Sequence, residues 1–232
     1  MLTKSSSVLP HRLKEVPLFS NMPKANLDAL AARTHVRNFS QGQIICHEGD
    51  QGHDLLVLEK GRLRVSRFTV TGKEVVLATL EPTTAVGELA LLDGEPRSAT
   101  ITAQRLSSVR LMSRTVFLEM LHQEPGATEG LLRTLAMLVR SGNERHLDVL
   151  GLDALGRLTK WLLTRATAKG ISGPEGLIVP MDRTQGELAA ELGMTRVRLN
   201  QIIRQLEAQG LVRVEREQTI LLEPESLMAF AF

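Results

Sequence analysis

The sequence predicts an α+β chain: an N-terminal roll of short β-strands, one long helix, and a C-terminal helix-turn-helix carrying a β-hairpin wing. Three observations lead there. Between Val36 and Met112, short apolar segments of period two alternate with Gly42, Gly49, Gly61, Gly72 and Gly94. From Ala127 to Leu150 the apolar positions fall on three- and four-residue spacings. From Thr184 to Val212 two helical patterns flank Gly193, and an alternating segment follows.

The chain has 232 residues, enough for one large or two modest domains with their own cores. It is 43% hydrophobic and 23% charged, ordinary for a globular protein. Cys46 is the only cysteine, which excludes a disulfide framework and an all-cysteine metal or iron–sulfur site and suits a reducing compartment. No apolar run approaches the roughly 20 residues that span a bilayer. The opening MLTKSSSVLPHRLKEV lacks the apolar core of a signal peptide. The expectation is a cytoplasmic protein with no membrane partner and no metal. Net charge is only +2, so any nucleic-acid-binding face must be a local patch.

In chain order, LKEVPLF and MPKANLDALAART read as short helices, with Pro23 near a helix start. VRNF, QIICHEGD, HDLLVLEKG, RLRVSRFTV, KEVVLATLE, SATITAQ and SSVRLM read as strands of a barrel or roll, and TVTGKEVV as a hairpin turning at Gly72. RTVFLEMLHQEP is a helix ending at Pro125. The long helix follows over 127–150, with a seam of Leu132, Leu135, Val139, Gly142, His146 and Val149. A seam this long, with nothing in the sequence to cover it, predicts a parallel homodimer. GLDALGR, residues 151–157, reads as a hinge, LTKWLLTRATAKG as a helix stopped by Gly170, and ISGPEGLIVP as a loop and strand entry. The expected domains are 11–125 (roll), 126–152 (dimerisation helix) and 153–232 (winged helix-turn-helix).

In the last of these, Leu188, Ala189 and Leu192 form the apolar face of a first helix, Gly193 allows a tight turn, and Thr195 caps a second helix carrying Val197, Leu199, Ile202, Ile203 and Leu206. The second helix of such a motif enters the major groove with its N-terminal residues on base edges. Here Arg196, Arg198, Asn200, Gln201 and Arg204 occupy a stretch with no acid from Thr195 to Leu206. Arginine suits guanine, asparagine and glutamine suit adenine, and Val197 can touch a thymine methyl. A helical hairpin packed on the roll would have no use for that basic stripe. Thr184, at the start of the first helix, joins the candidate set, and LVRVEREQTILLE supplies the wing. The expected partner is double-stranded DNA.

One stretch remains, GELALLDGEPRSAT at 87–100, which places an acid and a base on a glycine-punctuated loop between strands. A glycine-rich roll, a long helix and a winged helix-turn-helix in this order, together with that stretch, resemble the Crp/Fnr family of bacterial transcription regulators (the cyclic-AMP receptor protein/FNR family). The resemblance runs from about Val16 to Leu222. The stretch looks like the phosphate-binding cassette of cyclic-nucleotide-binding domains, G-E-L-A…R-[ST]-A-T.

The resemblance implies that Gly87, Glu88, Leu89, Arg97, Ser98 and Ala99 hold cyclic AMP, or alternatively cyclic GMP, as an allosteric ligand. Arg97 would make a charge-assisted contact to the phosphate, Ser98 would add donors, and Glu88 would accept from the ribose 2′-hydroxyl. The LALLDG segment would aim backbone N–H groups at the anion, and Gly87 would let the backbone approach the sugar. Family logic places Gly142 and Asn143 of the long helix at the base. Many relatives carry a hydroxyl residue where Gly142 stands. A glycine there costs about 1 kcal/mol relative to alanine, which suits either a helix that ligand finishes ordering or a different nucleotide. The same resemblance implies a homodimer on a palindromic operator, with RNA polymerase as a further partner, and no enzyme activity. Where the family's receptor proteins read DNA with Arg, Glu and Arg, this chain has Arg196, Val197 and Gln201, which points to a site richer in A·T. The alternative is a constitutive DNA-binding regulator whose sensor is vestigial or takes another ligand, such as another nucleotide or haem. Cys46 and His47 are adjacent on a predicted strand and point to opposite faces, which disfavours a shared iron. His146 reads as an interface residue.

Overall fold

Strand-forming segments fold back on one another through the first half of the chain because each ends at a turn residue before it can lengthen. The computed structural model describes residues 11–72 and 74–231. The first ten residues, read above for a targeting signal, Lys73 of the hairpin and Phe232 lie outside the described residues.

Helix α1 (His11–Lys14), a single 3-10 turn (Pro17–Phe19) and α2 (Lys24–Ala32, capped by Pro23) precede the strands. These are β1 (His35–Phe39), β2 (Ile44–Cys46), β3 (Asp54–Lys60), β4 (Leu63–Phe68), β5 (Glu74–Leu80) and β6 (Thr84–Val86). Helix α3 (Glu88–Asp93) interrupts them before β7 (Thr100–Ala103) and β8 (Ser107–Ser113). They pair antiparallel as two four-stranded sheets, β1-β8-β3-β6 and β2-β7-β4-β5. Phe39, Leu56, Leu58 and Val109 from the first sheet meet Leu63 and Ile101 from the second in one core, as two packed sheets require. At the β4–β5 hairpin the Gly72 N–H donates to the Thr69 carbonyl at 2.8 Å.

Strand β6 has no counterpart in the sequence reading. TTAV is too short to show a period, and its pairing with β3 (Leu56 opposite Val86) forms only in the fold. It matters because it leads directly into Gly87.

Helix α4 (Arg114–Gln123) starts where the Ser113 hydroxyl accepts from the Val116 N–H. Helix α5 (Pro125–Gly151) follows and begins at the proline itself, earlier than the pattern suggested. Phe19, Leu55, Leu91, Phe117 and Leu131 bring the 3-10 turn, β3, α3, α4 and the start of α5 into a second core. Above it, Glu59 and Arg110 form a buried ion pair at 2.6 Å. Arg110 also donates to the Thr34 hydroxyl at 2.9 Å, tying the end of α2 to the sheet.

The chain divides into two compact units, one running to Val139 and the other from Arg140 onward. In the second, α6 (Ala154–Lys169) is capped by Asp153, whose carboxylate accepts from the Gly156 N–H at 2.8 Å. Of the expected hinge at 151–157, only Leu152 and Asp153 are outside a helix. The Asp153 cap starts α6 inside that segment, a signal the glycines obscured. A hairpin of β9 (Ile171–Gly173) and β10 (Gly176–Pro180) replaces the loop expected at ISGPEGL. Helices α7 (Gln185–Glu191) and α8 (Arg196–Ala208) follow, then the expected hairpin of β11 (Val212–Val214) and β12 (Gln218–Leu221). The four strands form one sheet, β11-β12-β10-β9. A last helix, α9 (Pro224–Ala231), was not anticipated. It buries Leu227 and Ala231, and the Phe230 carbonyl lies so close to Gly156 that a Cβ there would be 2.7 Å away.

Candidate functional site

The chain leaves β6 at Gly87 with φ 91°, in the left-handed region that side-chain-bearing residues avoid. A Cβ at this position would also stand 2.2 Å from Nη1 of Arg97. Glycine is thus required both by its conformation and by its neighbour. The turn it makes starts α3 and puts Glu88 in the first helical position with only 7% of its surface exposed. Burial pushes the Glu88 carboxyl above its ordinary range; backbone N–H groups of Glu88 and Gly87 and the charge of Arg97 only partly counter this.

Arg97 is buried on the far side of the same loop. Its Nη1 donates to the Gly87 carbonyl at 2.9 Å and its Nη2 to the Asp54 carbonyl at 2.6 Å. Its Nε is buried with no hydrogen-bond partner among the described residues. The backbone locks the residue as well: its N–H donates to the Asp50 carbonyl at 2.8 Å, and its carbonyl accepts from the Gly49 N–H at 2.9 Å. Gly52 packs against it, since a Cβ there would lie 3.4 Å from the guanidinium carbon and 2.5 Å from the Ala90 methyl. Among the described residues no carboxylate forms an ion pair with Arg97; two carbonyls accept its hydrogen bonds, and the Glu88 charge acts on it only from farther off. A buried cation without a counter-charge is costly. An anion bound here would supply that charge.

The remaining cassette residues divide by exposure. Ala99 is buried, while Leu89 and Ser98 face outward. The segment 49–54, which frames Arg97 from the loop leading into β3, was missed by the sequence reading. Its two glycines in HEGDQGHD were the available signal. Gly142 and Asn143 are exposed on α5 in the second unit, and a Cβ on Gly142 would meet nothing within 4 Å. The α5 seam is uncovered: Leu132, Val139, His146 and Val149 are exposed, and Leu135 alone of its side chains is half-buried. Cys46 ends its strand against the inter-sheet core, where burial raises its thiol pKa. His47 lies beyond the strand end and is exposed. Among the described residues, no group of three or more His, Cys, Asp or Glu could hold a metal, and no helix is long and apolar enough to cross a membrane.

In the second unit, α7 opens with a reciprocal cap. The Thr184 hydroxyl accepts from the Glu187 N–H at 3.2 Å, and the Glu187 carboxylate accepts from the Thr184 N–H at 2.8 Å. Gly193 turns the chain with φ 67°, and the Thr195 hydroxyl then caps α8 by accepting from the Arg198 N–H at 3.1 Å. Leu188, Ala189, Leu199, Ile202 and Leu206 are buried together. That leaves Arg196, Val197, Arg198, Gln201 and Arg204 exposed and Asn200 half-buried. No side-chain partner among the described residues neutralises Arg196, Arg198 or Arg204, so α8 presents an uncompensated positive face.

Sequence reasoning missed the cluster that seats this motif. Arg165 and Arg183 lie 5.4 and 5.2 Å from the Trp161 ring centroid. Asp182 bridges the two arginines at 2.8 and 3.1 Å, while Trp161 Nε1 donates to Glu191 at 3.2 Å. Burial raises the Asp182 carboxyl pKa, but the Arg165 hydrogen bond and the Arg183 charge outweigh it and hold the group far below the usual carboxylate range. No linear motif signals these contacts between α6, α7 and the segment before Thr184.

Known proteins share both halves of this arrangement. Residues 36–124 match the family model of the cyclic nucleotide-binding domain, and residues 156–230 that of the Crp-like helix-turn-helix domain. A probable transcriptional regulator, flp, of Lacticaseibacillus casei is 30% identical over 221 residues, covering 94% of this chain and 96% of that protein. A CRP-like cAMP-activated global transcriptional regulator of Mycobacterium tuberculosis is 28% identical over 217 residues, covering 93% of this chain and 96% of its own. The crystal structure of Thermus thermophilus catabolite activator protein superposes with a TM-score of 0.54 at 28% identity, covering 93% of this chain and 98% of that one. With a cyclic-nucleotide-binding roll and a Crp-like DNA-binding motif matched along nearly its full length, this chain belongs to the Crp/Fnr family of transcription regulators.

Proposed function

We propose that the protein is a homodimeric regulator whose affinity for a palindromic operator is set by cyclic AMP bound at Gly87, Glu88, Leu89, Arg97, Ser98 and Ala99. The observation that carries this reading is the buried Arg97 guanidinium, held by two carbonyls, with Nε unpartnered and no ion-paired carboxylate among the described residues. A singly charged cyclic phosphodiester supplies the missing charge, and the Glu88 carboxyl on the same loop can take its ribose hydroxyl. Asn143 can hydrogen-bond a purine. The exposed apolar side chains of α5 support a second copy as the dimer partner. Thr184, Thr195, Arg196, Val197, Arg198, Asn200, Gln201 and Arg204 form the DNA-facing set, with RNA polymerase as a further partner in the cytoplasm.

A second reading has an observation in its favour. Gly142 offers no side chain to a base, so the sensor could take another nucleotide, such as cyclic GMP, or leave DNA binding constitutive. Calorimetric titration of the full chain with cyclic AMP and cyclic GMP separates them. Saturable binding that is tighter for cyclic AMP is the expected result; no heat with either nucleotide overturns the cassette assignment.

A further inference from the structure

Helix α3 has six residues, too few to be stable alone. Contacts from outside must hold it, and two arginines grip it, one at each end. Arg97 donates to the Gly87 carbonyl at the N-terminal end. At the other end, Nε of Arg114 donates to the Leu91 carbonyl at 2.9 Å, one of the last carbonyls that the helix cannot satisfy itself. Both arginines return to the start of β3: Arg97 Nη2 to the carbonyl of Asp54, its first residue, at 2.6 Å, and the Arg114 N–H to the carbonyl of His53 just before it at 2.8 Å. Asp54 is in turn the register partner of Ser113, the cap of α4.

Arg114 is the first residue of α4, and no carboxylate among the described residues pairs with it. The side chain of Leu91, whose carbonyl Arg114 holds, shares a core with Val116 and Phe117 of α4 and Ala127 and Leu131 of α5. The residue that clasps the cassette helix therefore starts the helix that leads into α5. We infer that Arg114 is a positioning residue: it holds α3 against the start of α4, so that occupancy of the cassette is felt by α4 and the first turns of α5. This rests on the ligand reading above for its consequence, but not for the clasp itself.

The test uses the full chain with Arg114→Ala and Arg114→Lys. In ligand-free protein, hydrogen exchange of the amides of residues 88–93 should rise about fivefold in Arg114→Ala, the effect of one lost hydrogen bond, while the β3 amides of residues 55–58 stay protected. Arg114→Lys should recover part of that protection. The ratio of operator affinities with and without cyclic AMP should fall toward one in Arg114→Ala, with the cyclic AMP dissociation constant changing less than that ratio. Unchanged exchange at residues 88–93 overturns the clasp. A changed exchange with an unchanged affinity ratio overturns its transmission to α5. Wild-type protein that ignores cyclic AMP defeats the ligand reading alone, and the exchange measurement still decides the clasp.

Discussion

Nη1 of Arg97 donates to the carbonyl of Gly87 at 2.9 Å, so the base of the cassette grips the residue that aims its acid. Arg97 and Glu88 are both buried, yet they make no ion pair with each other among the described residues. Each charge sits in the interior only partly compensated, as expected of groups meant for a third participant.

Glu88 gives a test of that statement with a defined sign. Its carboxyl is raised by burial in the folded protein, so the folded state binds more protons than the unfolded one from the ordinary carboxylate range upward. Ligand-free stability should therefore fall as pH rises through that window. Glu88→Gln should abolish this dependence and leave the ligand-free protein as stable as wild type at pH 7, or more so, while weakening cyclic AMP binding about tenfold. Thermal melts across pH 4–8 and calorimetry measure both. A Gln variant with lower stability and unchanged affinity would contradict the assignment.

Gly142 lies mid-helix in α5 with open space where a Cβ would be. Gly142→Ala should fit and stiffen the helix by about 1 kcal/mol. If ordering of α5 is part of the switch, ligand-free operator affinity should rise up to about fivefold. Anisotropy titrations of a labelled operator without nucleotide check this; a fall in affinity with the dimer intact argues against an ordering switch.

Much of this was legible in the sequence, for identifiable reasons. The roll, the long helix and the helix-turn-helix announce themselves through periodicity, and GELALLDGEPRSAT through its residue types. What stayed hidden depends on contacts distant in sequence. β6 exists because β3 offers it a free edge, and α9 because α6 leaves space for Leu227. Arg97 stood out in the sequence as the one base of the cassette stretch, but its carbonyl partners at Gly87 and Asp54 did not, because a backbone acceptor carries no residue signature. The Glu59–Arg110 pair likewise joins strands that only the sheet brings together.

Asp182 anchors the segment before Thr184, and its depressed pKa means its contribution is present above the ordinary carboxylate range and lost as pH falls through the folded value. Asp182→Asn should destabilise the second unit by about 1–3 kcal/mol at pH 7. Trp161 is the only tryptophan, so its fluorescence reports the loss directly. Operator affinity should fall for all sequences alike. An unchanged melt and emission spectrum would show that the cluster does not seat the motif.

The exposed N-terminal turns of α8 carry Val197 and Gln201, one turn apart, with Arg196 beside them. In vitro selection should return a palindrome with one guanine per half-site, flanked by A·T pairs, and half-site centres about 10–10.5 bp apart. Arg196→Ala should cost about 1–3 kcal/mol and relax the choice at that guanine, whereas Arg198→Ala and Arg204→Ala should weaken every sequence evenly. Sites without two-fold symmetry would show the reading residues to be wrongly assigned.

The most direct test of the account measures the affinity of the full chain for a selected operator with and without saturating cyclic AMP, in wild type and in Arg97→Ala. Wild type should bind at least about fivefold more tightly with the nucleotide, as a coupling of about 1 kcal/mol or more requires. Arg97→Ala, checked by its melt to be folded, should bind with the same affinity in both conditions. Wild-type affinity that does not change with cyclic AMP, or a nucleotide response that survives the loss of Arg97, would contradict it.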